Sequence, residues 1–538
     1  MTMTESRPEA QASTPASPAT AAVYAPPTGV AGWIMTADHK KVGRLFVVTA
    51  LVLAVGALAA GVLAGIERID PTGASLFDRT TDGDQAAHLF VFAVPFLAVI
   101  PLLLGLAVYA VPLQVGARTL AFPRAASLAY FGWLTGAVLV VASFLANGGP
   151  SGGRSDAVDL FLGGMVVVVA SLLLSAVCVA TTVLTLRSPG MSLDRVPFFS
   201  WASLVSATGL LLSLPVMIGH LVLLFADHKY GTREAFGGND QIASYLTWAV
   251  TQPQTLLYAM PILGIVADIV PVFARVRGRM GSVLFVAIGA AGFLGIGADI
   301  QQVIDPKVTT EPVFVIASVA GIVPVLLVLA VAGLHLAKLG KPDPKAPLVL
   351  AMPALLLLLA GVVAGALYSI KGLELGGTAF ATGQTDLVLL GGGLLGGLAG
   401  VAFWGPKMWG RKLPETQVKG LAPLALLAVA LSAVTTIVLG WAGDQPFLAT
   451  AFEGDRGYTK ALNALDTVGL ALLAVVVAGF VALAVRAFTQ TGELVDADPW
   501  HGHTLEWATS SPPPEANFGV ELPAVRSAQP LLDLREEA

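Results

Sequence analysis

The stretch from Trp248 to Pro261 reads Trp-Ala-Val-Thr-Gln-Pro-Gln-Thr-Leu-Leu-Tyr-Ala-Met-Pro and lies at the start of a long apolar run. Two glutamines, Gln252 and Gln254, flank the first of its two prolines. A polar side chain inside a membrane-spanning helix must find its hydrogen-bond partner within the protein. The stretch therefore predicts a buried helix whose amide side chains face other helices.

The composition of the whole chain is that of a membrane protein. Of 538 residues, 55% are hydrophobic and only 12% are charged, whereas soluble domains carry about 25% charged residues. The net charge is −5 and no basic domain is present, so nucleic acid is not an expected partner. The single cysteine, Cys178, cannot form an internal disulfide. We predict an all-α, polytopic membrane bundle.

The lengths of the hydrophobic runs predict about twelve transmembrane helices, because one span needs about 20 apolar residues. The runs lie near 43–66, 86–113, 126–147, 158–186, 198–227, 245–274, 281–304, 312–337, 347–370, 385–406, 420–441 and 465–487. The loops between them are alternately rich in Arg and Lys and rich in Asp and Glu. The positive-inside rule then places both termini in the cytoplasm.

The chain divides into three predicted regions. Residues 1–28 hold too few large apolar side chains to fold, so we expect a disordered cytoplasmic tail. Residues 29–490 form the membrane domain. Residues 491–538 are Pro-rich and polar, and we expect an extended cytoplasmic tail that is neither a helix nor a domain.

Six segments, in this order, resemble subunit I of the heme–copper oxidases. They are Trp33 with Thr36-Ala37-Asp38-His39-Lys40, Pro112–Ala117 with Ala121–Arg124, Gly292–Gly295, Trp404 with Pro406, Leu462-Asn463 with Thr467, and Leu505–Pro514 with Asn517-Phe518. Trp248–Pro261 resembles the copper-binding helix of the same family. The resemblance implies twelve membrane helices around three pores, which hold two hemes and one copper ion. It also implies reduction of oxygen with electrons from cytochrome c or quinol.

The family's ligand positions hold other residues in this chain. The resemblance places the three copper-binding histidines at Gln252, Gln301 and Gln302, and two heme-binding histidines at Gln384 and Asp386. A neutral amide is a poor ligand for copper, and neither Gln nor Asp is a usual axial ligand of heme iron. We interpret these as former ligand positions and predict no catalytic residue and no bound metal.

The remaining heme position and the proton routes show the same pattern. His88 lies about one residue from the family's other heme-ligand position, and we expect a hydrogen-bonded histidine near the start of a helix rather than a heme ligand. The proton-route positions fall on Thr119, Gln254 and Leu256, and the lysine-route position falls on Val328 if a small gap is allowed. None of these four side chains has a group that gains or loses a proton near neutral pH.

The buried polar side chains leave two interpretations open. The set comprises Gln252, Gln254, Gln301, Gln302, Gln384, Asp299 and Asp386. It could form an ion path or transport route, since acids within a membrane invite that hypothesis. Alternatively, it joins spans six, seven and ten by hydrogen bonds, with Asp386 in contact with water. Glycines at 391–393 and 396–397 predict close packing of the tenth span.

These patterns together predict a subunit I-like membrane protein of the bacterial plasma membrane that has lost heme, copper and proton-pumping residues. We expect no cofactor, including no single low-spin heme at His88, and a non-catalytic structural or regulatory role in a respiratory membrane complex. The expected partners are the lipid bilayer and subunits resembling oxidase subunits II and III. A terminal oxidase with atypical ligation is the second hypothesis, and an ion path is the third.

Overall fold

The computed structural model describes residues 29–69, 80–150, 152–231, 242–250, 254–302, 312–444, 457–490, 492–519, 522 and 524–537. The predicted disordered tail, residues 1–28, lies outside this set. Of the described residues, 29–36 belong to one unit, which contains the short helix α1 (Gly29–Ile34). Residues from Ala37 onward form a second unit, which contains all the features below.

The second unit is a bundle of long apolar helices, as predicted. Within the described ranges, eleven helical segments are long and apolar enough to cross a membrane, and a shorter apolar helix covers Gly281–Gly295. The helices are α2 (His39–Ile69), α3 (Thr80–Ala93), α4 (Ile100–Gln114), α5 (Pro123–Leu145), α6 (Ser155–Thr185), α7 (Phe198–Tyr230), α8 (Ile242–Thr247), α9 (Gln254–Ala259), α10 (Pro261–Ala274), α11 (Gly281–Gln302), α12 (Pro312–Ala320), α13 (Ile322–Leu334), α14 (Ala346–Tyr368), α15 (Phe380–Asp386), α16 (Leu395–Trp409), α17 (Glu415–Trp441), α18 (Gly457–Thr489) and α19 (Pro530–Glu537).

Three short π-helical segments interrupt or extend these helices. Val94–Val99 joins α3 to α4, and Leu387–Leu394 joins α15 to α16, so that each pair forms one continuous span. His335–Leu339 extends α13. Counting α11 as the seventh span, the second span is α3 to α4, the fifth is α7, the sixth includes α9 and α10, and the eighth is α12 to α13. The ninth span is then α14, the tenth is α15 to α16 and the twelfth is α18.

The tenth span lies at the centre of the bundle, and its glycines allow the neighbouring helices to pack closely against it. The hydrophobic part of this span is entirely buried. A methyl group on Gly393 would come within 2.5 Å of the Val99 side chain, and one on Gly396 would overlap Ile262 of α10. Side chains larger than hydrogen at these positions would therefore separate the helices. This confirms the close packing predicted from the glycines.

The outer surface of the bundle is apolar, which suits contact with lipid. Leu145 of α5, Phe293 of α11 and Val475 of α18 are each more than two-thirds exposed. Exposed leucine, valine and phenylalanine side chains on a soluble protein would form an aggregation-prone surface. On a membrane-spanning bundle the same side chains face hydrocarbon, so the protein is a multi-pass membrane protein.

The tail after residue 491 is bound to one face of the bundle, which we call the basic face because its loops are rich in arginine and lysine. The Val525 amide donates to the Pro189 carbonyl at 3.0 Å, and Lys412 donates to the Pro499 carbonyl. The prediction that the tail contains no helix is wrong, since Leu505–Ala508 forms a 3₁₀ turn and Pro530–Glu537 forms α19. Leu505 and Trp507 are buried, and this burial orders the segment.

Lys407, near the end of α16, fixes the tail from inside the bundle. Its side chain is fully buried, and Nζ donates to the carbonyls of Ala497 at 2.8 Å and Thr509 at 2.6 Å. The ammonium group also lies 5.2 Å from the centre of the Trp507 ring. A buried charge is tolerated only where polar groups surround it, and here the tail backbone supplies them.

We expect Gly440→Ala to destabilise the protein by about 1 to 3 kcal/mol, the usual cost of overpacking a core. A methyl group on Gly440 of α17 would overlap the backbone nitrogen of Phe380. Gly219→Ala is the matched control, because nothing lies within 4 Å of a methyl group there and Ala favours a helix. Thermal unfolding of both purified variants in detergent measures the difference, and equal melting temperatures would refute the packing.

We expect Lys407→Met to release the tail. The substitution leaves the buried Thr509 carbonyl without its lysine donor, at a cost of about 1 to 3 kcal/mol, and the Ala497 carbonyl keeps only its bond from the Ser511 hydroxyl. Limited proteolysis should then cut the tail faster than in the unmodified protein. Lys419→Met is the control, since Lys419 makes only a surface pair with Glu415 at 3.8 Å. Equal cutting rates in both variants would contradict the role of Lys407.

Candidate functional site

Gln254 and Leu256 lie on α9, within the stretch that resembles the copper-binding helix. Gln254 is fully buried, and its Nε2 donates to the Ser213 hydroxyl of α7 at 2.8 Å. Its Oε1 accepts no hydrogen bond. Leu256 is also buried. The amide at Gln254 thus connects the sixth span to the fifth.

Gln384 and Asp386 lie on α15, at the start of the tenth span. Gln384 Nε2 donates to the Gly361 carbonyl of α14 at 3.3 Å. Asp386 is 5% exposed, so the expectation that it contacts water is wrong. Asp386 lies close enough to Arg68 and Asp466 to interact with both charges.

Arg68 and Asp466 form a buried ion pair next to Asp386. The Arg68 guanidinium donates to Asp466 at 2.6 Å, and the Ser432 hydroxyl donates to the same carboxylate at 2.6 Å. The Asn463 amide donates to the Arg68 carbonyl at 3.1 Å. One arginine therefore compensates acidic charge from the tenth and twelfth spans, an arrangement typical of charges held inside a membrane.

The hydrogen bonds that the structure describes for Gln254 and Gln384 join other pairs of spans than the predicted six, seven and ten. Gln254 bonds to the fifth span and Gln384 bonds to the ninth. Gln252 lies outside the described residues, and so do the side chains of Gln301 and Gln302. The two described amides still join helices, but each joins a different pair.

His88 and Thr119 differ in their surroundings. His88 lies on α3, and its Nδ1 is buried near the Asp84 carbonyl without a hydrogen bond of normal geometry. His88 therefore lies on a helix, as expected, but its Nδ1 lacks the expected hydrogen bond. Thr119 is exposed in the loop between α4 and α5. The structure thus does not bring Thr119 together with Gln254 or Gln384 in one site.

A second buried polar cluster, which sequence reasoning missed, lies where the tail meets the basic face. Gln114, the last residue of α4, donates from Nε2 to Asp268 of α10 and to Glu506 of the tail, each at 3.1 Å. Its Oε1 accepts from the Ser200 hydroxyl at 2.7 Å. The Trp404 ring nitrogen donates to Glu506 at 3.2 Å. We call Gln114, Ser200, Asp268, Trp404 and Glu506 the amide-bridged acid cluster.

Asp268 also caps a helix, which gives the cluster a structural function. Its two carboxylate oxygens accept from the backbone amides of Phe198 and Phe199, each at 3.0 Å. These amides open α7 and have no partner within the helix, and a carboxylate there is favoured by the helix dipole. The available sequence signal was an acid inside the apolar run 261–274.

Glu506 is the member of the cluster whose carboxylate is not fully hydrogen-bonded. It is completely buried, and its Oε2 has no hydrogen-bond partner. Burial raises the pKa of Glu506, although hydrogen bonds from the Thr504, Gln114 and Trp404 side chains oppose the rise. The cluster therefore favours a protonated Glu506 more than water does.

The chain matches the family model described as "Cytochrome C and Quinol oxidase polypeptide I" over residues 41–481. The chain belongs to this family. Among curated relatives, the cytochrome c oxidase subunit 1 of Bacillus subtilis (strain 168) is 29% identical over 93% of this chain and 82% of the relative. The putative cytochrome c oxidase subunit 1-beta of Streptomyces coelicolor is 32% identical over 93% and 90%. The quinol oxidase subunit 1 of Bacillus subtilis is 28% identical over 94% and 80%.

Membership in the oxidase subunit I family confirms the resemblance and corrects one prediction. We predicted that the chain carries no cofactor. That prediction is wrong, because the match covers most of the chain and the relatives are named as oxidases. The resemblance assigns two hemes and one copper ion to this family, and a few changed ligand positions do not outweigh a match of that extent.

The described residues of this oxidase relative fit heme ligation at one position only. His88 is half-buried, and its buried Nδ1 makes no normal hydrogen bond, which suits an axial ligand. Gln384 and Asp386 supply an amide and a carboxylate, which do not fit the imidazole ligation that the resemblance implies. No group of three possible metal ligands is present among the described side chains. We therefore derive no chemical step through heme or copper.

We expect Glu506→Gln to change how the stability of this protein depends on pH. The raised pKa means that the folded state holds the Glu506 proton more tightly than the unfolded state does. Stability from this group is therefore present at low pH, and it is lost as the pH rises from about 4.5 toward the folded-state pKa. The glutamine side chain can still accept the hydrogen bonds from Gln114 and Trp404, but it does not ionise. As the pH rises over this range, the stability of this variant should therefore fall less than that of the unmodified protein.

The measurement is the melting temperature of the purified protein between pH 5 and pH 8. Glu515→Gln is the control, because Glu515 lies exposed in the same tail. A Glu506→Gln variant that is less stable than the unmodified protein at neutral pH would contradict this interpretation, since it would show that the charge is needed.

Proposed function

We propose that the chain is the subunit I-type core of a bacterial respiratory membrane complex and has a structural or regulatory role there. The observation that carries the proposal is the contrast between two regions. The amide-bridged acid cluster and Lys407 hold the tail to the basic face through many buried hydrogen bonds. At the described positions that the resemblance assigns to chemistry, Gln254 and Gln384 bond instead to neighbouring helices.

Partners and orientation are part of the same proposal. The basic face carries the arginine- and lysine-rich loops together with the tail, and the positive-inside rule supports a cytoplasmic location for both. Exposed apolar side chains such as Leu145 and Val475 offer surface for lipid and for neighbouring membrane subunits. We propose that subunits resembling oxidase subunits II and III bind to this bundle, by analogy with the family.

A catalytic oxidase with atypical ligation is the second candidate, and His88 favours it. A buried ring nitrogen such as His88 Nδ1 without a normal hydrogen bond is unusual, because buried polar atoms generally have a partner. In this alternative His88 holds heme iron, and a group other than histidine completes the ligation. The pairing of Arg68 with Asp466 beside Asp386 disfavours the third hypothesis, an ion path, because it fixes these charges in place.

One experiment separates the two candidates. The full-length protein is purified from its native membrane with its partners, and oxygen consumption is measured with reduced cytochrome c and with quinol. Under the structural proposal, Lys407→Met lowers the amount of assembled complex, and activity per complex does not depend on His88. Loss of oxygen consumption and of heme absorbance in His88→Leu, at an unchanged amount of complex, would overturn the structural proposal and support the oxidase.

A further inference from the structure

An apolar cavity of about 220 Å³ lies between α10, α11 and α13, close to the basic face. Val266 and Val270 of α10, Leu284 of α11, and Val328 and Val331 of α13 form its walls. We call this cavity the apolar slot. Val328 lies in its wall, at the position that the resemblance gives to a polar proton route. The apolar lining at this position therefore differs from the pattern that the resemblance implies.

The rim of the slot is polar and held in place by hydrogen bonds. The Arg279 amide donates to His335 Nε2 at 2.9 Å, and the other ring nitrogen of His335 lies 2.7 Å from the Val331 carbonyl. The Gly278 amide donates to the Gln529 side chain of the tail at 3.0 Å. The backbone of this rim is therefore fixed at Gly278 and at Arg279.

The two arginines of the rim differ in what they contact. Arg277 pairs with Asp533 and with Glu536 of α19. Arg279 is exposed, and its guanidinium extends from the fixed backbone at the opening of the slot. Among the described side chains of the tail, the acids Asp533 and Glu536 pair with Arg277 and not with Arg279, so the positive charge at the opening favours an anionic ligand.

Water and empty space are both poor occupants of the slot. Water needs two to four polar partners, and the walls formed by Val266, Val270, Leu284, Val328 and Val331 offer none. An empty cavity of this size would leave the walls without packing contacts. Hydrocarbon satisfies both conditions, and the surrounding bilayer supplies it.

Two of the helices that line the slot also carry side chains on the lipid-facing surface. On α11, Val286 is 66% exposed, and on α13, Val323 and Leu327 are exposed as well. The two helices that form one side of the slot therefore also border the lipid. Binding sites for whole drug-sized molecules measure about 300 to 1,000 Å³, so the slot accommodates part of one acyl chain only.

We propose that the apolar slot binds one acyl chain of an anionic phospholipid whose phosphate pairs with Arg279. The chain lies between α10, α11 and α13, and the headgroup lies at the level of the basic face. Basic pockets between membrane helices on this side are suited to anionic headgroups. The proposal does not depend on whether the protein reduces oxygen.

The test is lipid retention by the full-length protein in its native complex. The protein is reconstituted in nanodiscs of phosphatidylglycerol mixed equally with phosphatidylcholine, transferred to detergent, and its retained lipids are counted by native mass spectrometry. We expect one phosphatidylglycerol per chain, in at least fivefold excess over phosphatidylcholine. Equal retention of the two lipids would overturn the proposal, because it would show no selection for charge.

Two variants locate the site, each with a matched control. Arg279→Gln should abolish the preference for phosphatidylglycerol, whereas Arg118→Gln, an exposed arginine of another basic-face loop, should keep it. Ala332→Phe fills the slot and should remove the retained lipid, whereas Val323→Phe on the lipid-facing side should not. If Ala332→Phe does not fold, the Arg279 comparison decides alone.

A final arm distinguishes a phospholipid from a free fatty acid. Oleate is added in increasing amounts to the protein that retains phosphatidylglycerol. We expect phosphatidylglycerol to remain bound at equimolar oleate. Complete displacement by oleate, or retention that is unchanged in both Arg279→Gln and Ala332→Phe, would contradict binding of a phospholipid at this place.

Discussion

The side-chain amide of Gln114 is the interaction on which the arrangement of the basic face depends. Two buried acids, Asp268 and Glu506, come from a membrane helix and from the tail, and their charges would repel each other at close range. Gln114 places one N–H on each acid and accepts a third bond from Ser200. Asp268 in turn caps the start of α7. A single neutral side chain thus links the second, fifth and sixth spans to the tail.

The membrane fold could be predicted because its main determinant is local. The length and polarity of each apolar run fix the number of spans, and the glycines of the tenth span indicate close packing without any knowledge of its neighbours. The tail could not be predicted in the same way. Its proline-rich composition indicates an extended chain, but Leu505 and Trp507 become ordered because the bundle offers them a place to be buried.

The candidate site was less predictable, because its properties depend on neighbours that are distant in sequence. The resemblance named Gln254 and Gln384, yet it could not show that Gln254 meets Ser213 and Gln384 meets Gly361. Asp386 lies near the end of a span, which suggested water, but Arg68 and Asp466 of other spans enclose it. The absence of familiar ligands at a few positions was also too narrow a basis for predicting the absence of cofactors.

The burial of Lys407 has a consequence for how the protein is made. The carbonyl groups that surround this ammonium group belong to residues 497–510, which leave the ribosome only after all the membrane spans. Until then water must solvate the charge at the end of the tenth span, and Gln114 lacks its bond to Glu506. The packing around Lys407 and Gln114 therefore forms only after insertion of the spans. Arrival of the tail completes it, which makes tail docking a natural checkpoint at which a cell could distinguish finished molecules from truncated ones.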